Sequence, residues 1–285
     1  MQIEPQSIGQ CVATETGYPF DVETGTDVEG HRWYLLVPAG NVAQSTFSVR
    51  VTLSWRRLNV VLEPGKFALD LLKRMGNTDS AGRASFKAVL RDCELKGAEI
   101  NLNLNRRAME FDDEEIWMEV WNRIDLSLKK GQLELGTEDG DPDLKIVCEW
   151  TSRFVAAVVA ILPIEEEPEI DTTNVAGYPE GAVTVVKVNR YERDPRNRAA
   201  ALAIHGSTCA ACCIDMSETY GFVAAGYIEM HHTTPVSRLT EGYVIDPLTD
   251  IVPLCSNCHV VAHRRDPPYT VEEIKEFLSN AMRSK

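Results

Sequence analysis

Two cysteine pairs, Cys209-Ala210-Ala211-Cys212 and Cys255-Ser256-Asn257-Cys258, constrain this chain more than any other feature. Two residues between thiols let the backbone turn tightly and aim both sulfurs at one ion. Two such turns supply a closed tetrahedral set of four thiolates with no position left for substrate, the arrangement of structural zinc. The 42 residues between Cys212 and Cys255 must then leave from and return to one point. Cys11, Cys93 and Cys148 are scattered over the first half, and Cys213, next to Cys212, is expected to point elsewhere as the fallback ligand. The polar start lacks the apolar core of a signal peptide, and the longest apolar run, Phe154 to Leu162, is too short for a bilayer. A cytoplasmic, reducing setting is therefore expected, in which clustered cysteines favour metal over disulfides.

The loop between the pairs carries His231-His232, and the second pair runs into His259 and His263. Residues four apart on a helix share a face, so His259 and His263 can share an ion. Adjacent residues on an extended segment face opposite ways, so one of His231 and His232 can face the metal and the other a substrate. Three imidazoles around an ion with a further histidine beside it make a metal-assisted hydrolase site. A single histidine is more often structural, but four of the chain's six stand at these spacings.

The run Tyr191-Glu192-Arg193-Asp194-Pro195, His205-Gly206, the first cysteine pair, Tyr220-Gly221, Ile228 to His232, Pro235, Asp250 to Leu254, the second pair and His259 to His263 resembles an HNH endonuclease. The resemblance covers about residues 180–275. It implies a ββα-metal fold, with a hairpin carrying the paired histidines packed on a helix carrying the last two. It makes His232 the general base, and His231, His259 and His263 the ligands of one divalent cation, Mg2+ or Mn2+, that binds the scissile phosphate. Asp250 stands where the family has asparagine, and is expected to brace the loop and orient the base. Arg264, Arg265, Arg193 and Arg196 are expected phosphate contacts, Glu229 is expected to pair with an arginine, and His205 to cap or pack.

At 285 residues the chain is about twice the usual domain length. The segment Pro163-Ile164-Glu165-Glu166-Glu167-Pro168 and its small polar continuation have little to bury and read as a linker. The expected organisation is α+β. A mixed α/β domain at 1–162 and an acidic Pro-rich linker at 163–181 precede a zinc-stabilised ββα-metal nuclease domain at 182–285. Residues 180–285 hold 11 Lys+Arg and 13 Asp+Glu, while the rest holds 18 and 30. A net charge of −14 speaks against indiscriminate nucleic-acid binding but not against a local basic face.

In the first domain, Trp33 to Val37, Phe47 to Trp55 and Leu58 to Leu62 read as strands, the last two joined by an Arg56-Arg57 turn. After Pro64-Gly65 a helix buries Phe67, Ala68, Leu71, Leu72 and Met75, and a second covers Ala81 to Arg91. Ile100, Leu102 and Leu104 alternate as a strand. Residues 116–128 fit both periods; a strand is favoured, hairpinned through Lys130-Gly131 to Leu133 and Leu135. A buried helix runs from about Leu144 to Leu162. Asp112-Asp113-Glu114-Glu115 reads as a solvated acidic loop and His31 as structural. Trp33, Trp55, Trp117, Trp121 and Trp150 read mainly as core rather than as a cage for an extruded base.

The leading expectation is a metal-dependent DNA endonuclease whose first domain selects the target, an architecture similar to modification-dependent restriction enzymes of bacterial defence. A nuclease effector activated by a ligand or partner, on DNA or RNA, and a non-catalytic zinc ribbon are the alternatives. Double-strand cleavage by one-strand sites calls for two protomers or two encounters, so a homodimer is a further expectation. No membrane partner is expected.

Overall fold

The computed structural model describes residues 3–135, 141–163, 195–234, 243–265 and 267–283. Its elements are α1 (Pro5–Thr16), β1 (Phe20–Thr26), β2 (Arg32–Pro38), β3 (Phe47–Ser54), β4 (Arg57–Pro64), α2 (Leu69–Gly76), α3 (Ser80–Leu95), β5 (Ala98–Leu104), β6 (Arg107–Met109) and β7 (Ile124–Lys130). These are followed by α4 (Asp141–Ala160), α5 (Pro195–His205), α6 (Met216–Tyr220), β8 (Glu229–His232), β9 (Ile251–Leu254), α7 (Ser256–Ala262) and α8 (Val271–Arg283). The expected α+β class holds. No helix among the described residues is long and apolar enough to cross a membrane.

Seven antiparallel strands form one sheet in the order β1-β2-β3-β4-β7-β5-β6. Alternation drives it: Val49, Val51 and Leu53 of β3 and Leu58, Val60 and Leu62 of β4 are all buried on one face. Ser54 pairs with Arg57, so the β3–β4 turn is Trp55-Arg56, one residue earlier than expected. The β5–β6 turn, Asn105-Arg106, holds both residues at positive φ (50° and 71°), the backbone that a two-residue hairpin needs for its twist to match the strands.

Three expectations are corrected. Residues 116–128 are not one strand: Glu114–Trp117 form a single 3-10 turn, and only 124–130 are extended. Trp117 and Trp121 stack with centroids 5.3 Å apart, and the Trp121 Nε1–H donates to the Ile116 carbonyl at 2.7 Å, so burying two indoles outweighs the period-two pattern. Second, β7 does not hairpin onto 133–135. It inserts between β4 and β5, and Leu133 instead donates its N–H to the Arg56 carbonyl. Third, Phe67 is 67% exposed, because helix α2 begins only at Leu69 and turns Leu72 and Met75 into the core. Helix α1 and strand β1 had no counterpart in the sequence reading. The acidic run is not simply solvated: Asp112 and Glu114 meet Arg91 and Lys87.

Helices α1, α3 and α4 cover the buried face of the sheet, with α4 in contact with both others and with β4. Phe154 to Ile161 are fully buried, which explains why this stretch lacks a polar face. Helix α5 closes the layer from outside, packing on α1, α3 and α4. Its Ala199, Ala200, Ala203 and Ile204 belong to the large core, so that core does not end at residue 162. Small side chains let the helices approach closely. At Gly82 of α3 an added Cβ would lie 2.5 Å from the Ala160 carbonyl oxygen and 2.9 Å from Arg196 Nη1. The linker expected at 163–181 falls almost wholly outside the described residues.

Candidate metal centres on a hairpin and helix

Strands β8 and β9 pair antiparallel, His231 opposite Val252 and His232 opposite Ile251, and α7 follows β9 after one residue. Helix α5 seats this unit on the first core. Arg198 donates to the carbonyls of Gly226 and Ile228, just before β8, at 3.5 and 3.2 Å. The His205 Nε2 lies 2.9 Å from the Pro247 carbonyl oxygen. Gly226 (φ 68°) sits so near Thr14 of α1 that a Cβ would come within 2.9 Å of its methyl group.

The sulfurs of Cys209, Cys212, Cys255 and Cys258 all lie within 4.8 Å of one another, Cys212 and Cys255 at 3.6 Å. Four sulfurs about 2.3 Å from one zinc would be about 3.8 Å apart, so the set fits such an ion. The cluster can hold a metal such as zinc. Cys209, Cys255 and Cys258 are buried and Cys212 partly so, which closes the site to solvent. Burial resists ionisation of Cys209, yet backbone N–H groups of Cys212, Cys255 and Ala211 overcome it and bring the thiol down to about 7. Burial, with the neighbouring thiols, raises Cys212 to about 11 and raises Cys258 further. The Cys209 thiolate forms readily, whereas Cys212 and Cys258 resist ionisation without a cation beside them. Cys213 is exposed and outside the set, as expected.

A second cluster joins His231, His259 and His263, whose ring centroids are 4.7–5.2 Å apart, all edge-on. One ring nitrogen from each lies within 4.8 Å of the others. His231 is 6% exposed, and its buried Nδ1 has no hydrogen-bond partner among the described residues. An orphaned buried nitrogen on a ring in contact with two further imidazoles fits a cation. Burial, then the charges of His259, His263 and His232, push His231 down to about 4, so it stays neutral where a ligand must be. His263 is exposed, and this cluster therefore opens to solvent on one side, unlike the thiols.

Glu229 is corrected: it meets His259, not an arginine, with Oε2 2.6 Å from Nδ1. Glu229 and His231 are two apart on β8 and so share the face toward α7, while His232 points to the other. A carboxylate on Nδ1 leaves Nε2 of His259 for an ion, the usual carboxylate–histidine–metal order. Glu229→Gln is therefore expected to weaken cation affinity about 10–100-fold, measured by titration calorimetry, with the fold unchanged. Asp250 braces its loop as expected: its Oδ2 accepts from the Tyr243 hydroxyl (2.8 Å) and the Asp246 N–H (2.9 Å). Its carbonyl accepts from the N–H of Thr233, next to His232.

Of the expected phosphate contacts, Arg264 is exposed and makes no ion pair among the described residues. Arg265 is held by Glu273 through two bonds of 2.9 and 2.8 Å and lies over the Tyr269 ring. Arg196 is corrected: it is 3% exposed and binds both oxygens of Asp79, joining α5 to α3. Sequence shows an arginine on an exposed-looking helix; only packing shows that this face turns inward. Arg193 lies outside the described residues. Asp79 also caps α3 through the Gly82 N–H. Asp79→Ala should cost about 1 kcal/mol for the cap and about 1–3 kcal/mol more for the stranded guanidinium. A lower urea midpoint at unchanged slope is the expected reading. The five tryptophans form no cage; Trp117, Trp121 and Trp150 are buried and Trp55 is 86% exposed.

Comparison with protein-family models, with curated proteins and with solved structures found no match.

Proposed function

We propose that the chain is a metal-dependent endonuclease of the HNH kind that hydrolyses phosphodiester bonds in DNA, with the first domain selecting the target as in a restriction enzyme. The observation that carries this reading is the contrast between the two clusters. Four thiols, three of them buried, make a set suited to structural zinc, while three imidazoles make a set open on one side, as catalysis requires.

In this reading His231, His259 and His263 hold one divalent cation, which when bound neutralises charge on the phosphate and the departing oxygen. A set of three imidazoles suits a transition-metal ion better than Mg2+, which prefers oxygen donors. His232, on the opposite face of β8, takes the proton from the attacking water; an imidazole accepts and releases protons near neutral pH. Glu229 holds the ring of His259, and Asp250 fixes the loop that returns to Thr233 beside the base. Arg264, which has no ion pair among the described residues, contacts phosphate.

Cleavage of supercoiled plasmid with Mn2+ or Mg2+, on unmodified, 5-methylcytosine and 5-hydroxymethylcytosine DNA, tests the reading. Cutting of modified DNA alone supports modification sensing, and cutting of every DNA leaves a nuclease without it. No cutting of any DNA or matched RNA refutes a nuclease that acts without an activator. A second reading, an effector activated through the first domain, is favoured by α5, which carries Arg196 toward Asp79 and Arg198 toward the start of β8. Cleavage that appears only with a ligand or partner present would select it.

A further inference from the structure

At one end of the large sheet, His31, Ser54, Trp55, Arg56, Arg57 and Gln132 line an open depression of about 490 Å3. That volume is in the range of small-ligand sites. Trp55 at the β3–β4 turn is 86% exposed, while Trp117, Trp121 and Trp150 are buried. A large indole left in water on a folded domain is the unusual case. The Arg56 guanidinium lies 5.9 Å from the Trp55 ring centroid, and its Nε donates to the Leu133 carbonyl, which fixes it beside the indole. Arg57 is exposed and makes no ion pair among the described residues. Asp27 and Glu29 both lie against His31, at 3.3 and 3.5 Å. Arg56 (φ 55°) and Gln132 (φ 60°) both hold left-handed backbone at the rim, a conformation costly for side chains of this size.

We propose that this depression is a nucleotide subsite, in which an unpaired base of a nucleic-acid strand stacks on Trp55 while Arg57, with Arg56, holds its phosphate. It deepens the nuclease reading, on which it rests for the identity of the strand as substrate. Every base has a π-face, so stacking on an exposed indole takes any unpaired base but no base within a duplex stack. On a chain of net charge −14, two arginines with no ion pair among the described residues give a strand a local point of entry. A chain of contacts joins the strand that follows Arg56 to the loop that enters β9. Lys130, paired with Leu58 next to Arg57, donates to the Lys96 carbonyl, and Lys96 donates to the Ile204 carbonyl. His205, the next residue, meets Pro247 of the loop that enters β9.

The test is fluorescence anisotropy of the full chain, without added divalent cation, on short labelled single-stranded DNA, single-stranded RNA and duplex DNA. Single strands should bind more tightly than the duplex. Trp55→Ala should weaken single-strand binding about 5–100-fold, Trp55→Phe much less, and circular dichroism should be unchanged because the side chain is exposed. Arg57→Gln should lower the slope of log affinity against log salt by about 0.7. The DNA and RNA arms assign the sugar. Equal affinity of Trp55→Ala and wild type, or no binding of any strand, overturns the subsite. If plasmid cleavage is absent but binding depends on Trp55, the nuclease reading fails and the subsite stands. If cleavage is present and binding ignores Trp55, the subsite alone fails.

Discussion

Plasmid cleavage by the His232→Ala protein is expected to fall about 10²–10⁴-fold, the usual contribution of a general base. Its metal content should not change, because His232 points away from the face of β8 that carries Glu229 and His231. His231→Ala should behave differently, losing bound cation and cleavage together, since the nitrogen it removes is buried with no other partner among the described residues. Rate assays run beside metal analysis separate the two. Equal loss of metal in both variants would refute the division of roles between neighbouring histidines.

Cys255→Ser is expected to have the larger structural effect. The core around the thiols is small: Leu202, Ala211, Ile228, Leu254, Ala262 and Ile274 are its buried members besides the cysteines themselves. So little apolar surface seldom holds a fold without a metal. Structural zinc supplies about 10–16 kcal/mol of apparent binding energy in small zinc modules, comparable to the whole stability of a domain. The variant should lose one metal per chain, and its melt should split into an early loss of β8, β9 and α7 and a later loss of the large sheet. Treatment of the wild type with a strong chelator should reproduce the split. A single unchanged transition would show that the thiols hold no structural metal.

Acid should weaken the histidine cluster in a defined window. His231 is depressed from 6.5 to about 4, so between those values the unfolded chain takes up a proton that the folded cluster refuses. Stability of the metal-free protein is therefore full above about pH 6.5 and declines as pH falls toward 4. Melting midpoints across that range, lost in His231→Ala, are the check.

The candidate centres were legible because their chemistry is local in sequence. A CxxC turn fixes its own geometry, and His259 and His263 reach one face through helical spacing alone. The strands were legible where alternation is strict, as in Phe47 to Leu53. What escaped the sequence depends on partners far along the chain. Glu229 lies 30 residues from His259, so only the fold says which of several cations it meets. Residues 116–128 fit two periods, and the stacking of Trp117 on Trp121 decided between them. Arg196 of α5 was misread for a related reason. A helix rich in alanine and arginine has no strong apolar stripe, yet alanine is small enough to fit between α1, α3 and α4, which turns Arg196 inward.

The sharing of α5 has a consequence for how this protein comes apart. A protease that cuts within residues 164–194 severs the backbone without separating the halves. The fragment beginning near Pro195 still threads its alanines into the other fragment's core and keeps the Arg196 bond to Asp79. The nicked halves should therefore travel together through a sizing column and part only in denaturant. For the same reason neither half is a transferable cassette: residues 3–163 alone would leave the outer side of α4 bare, and the hairpin with its two clusters would lose its seat.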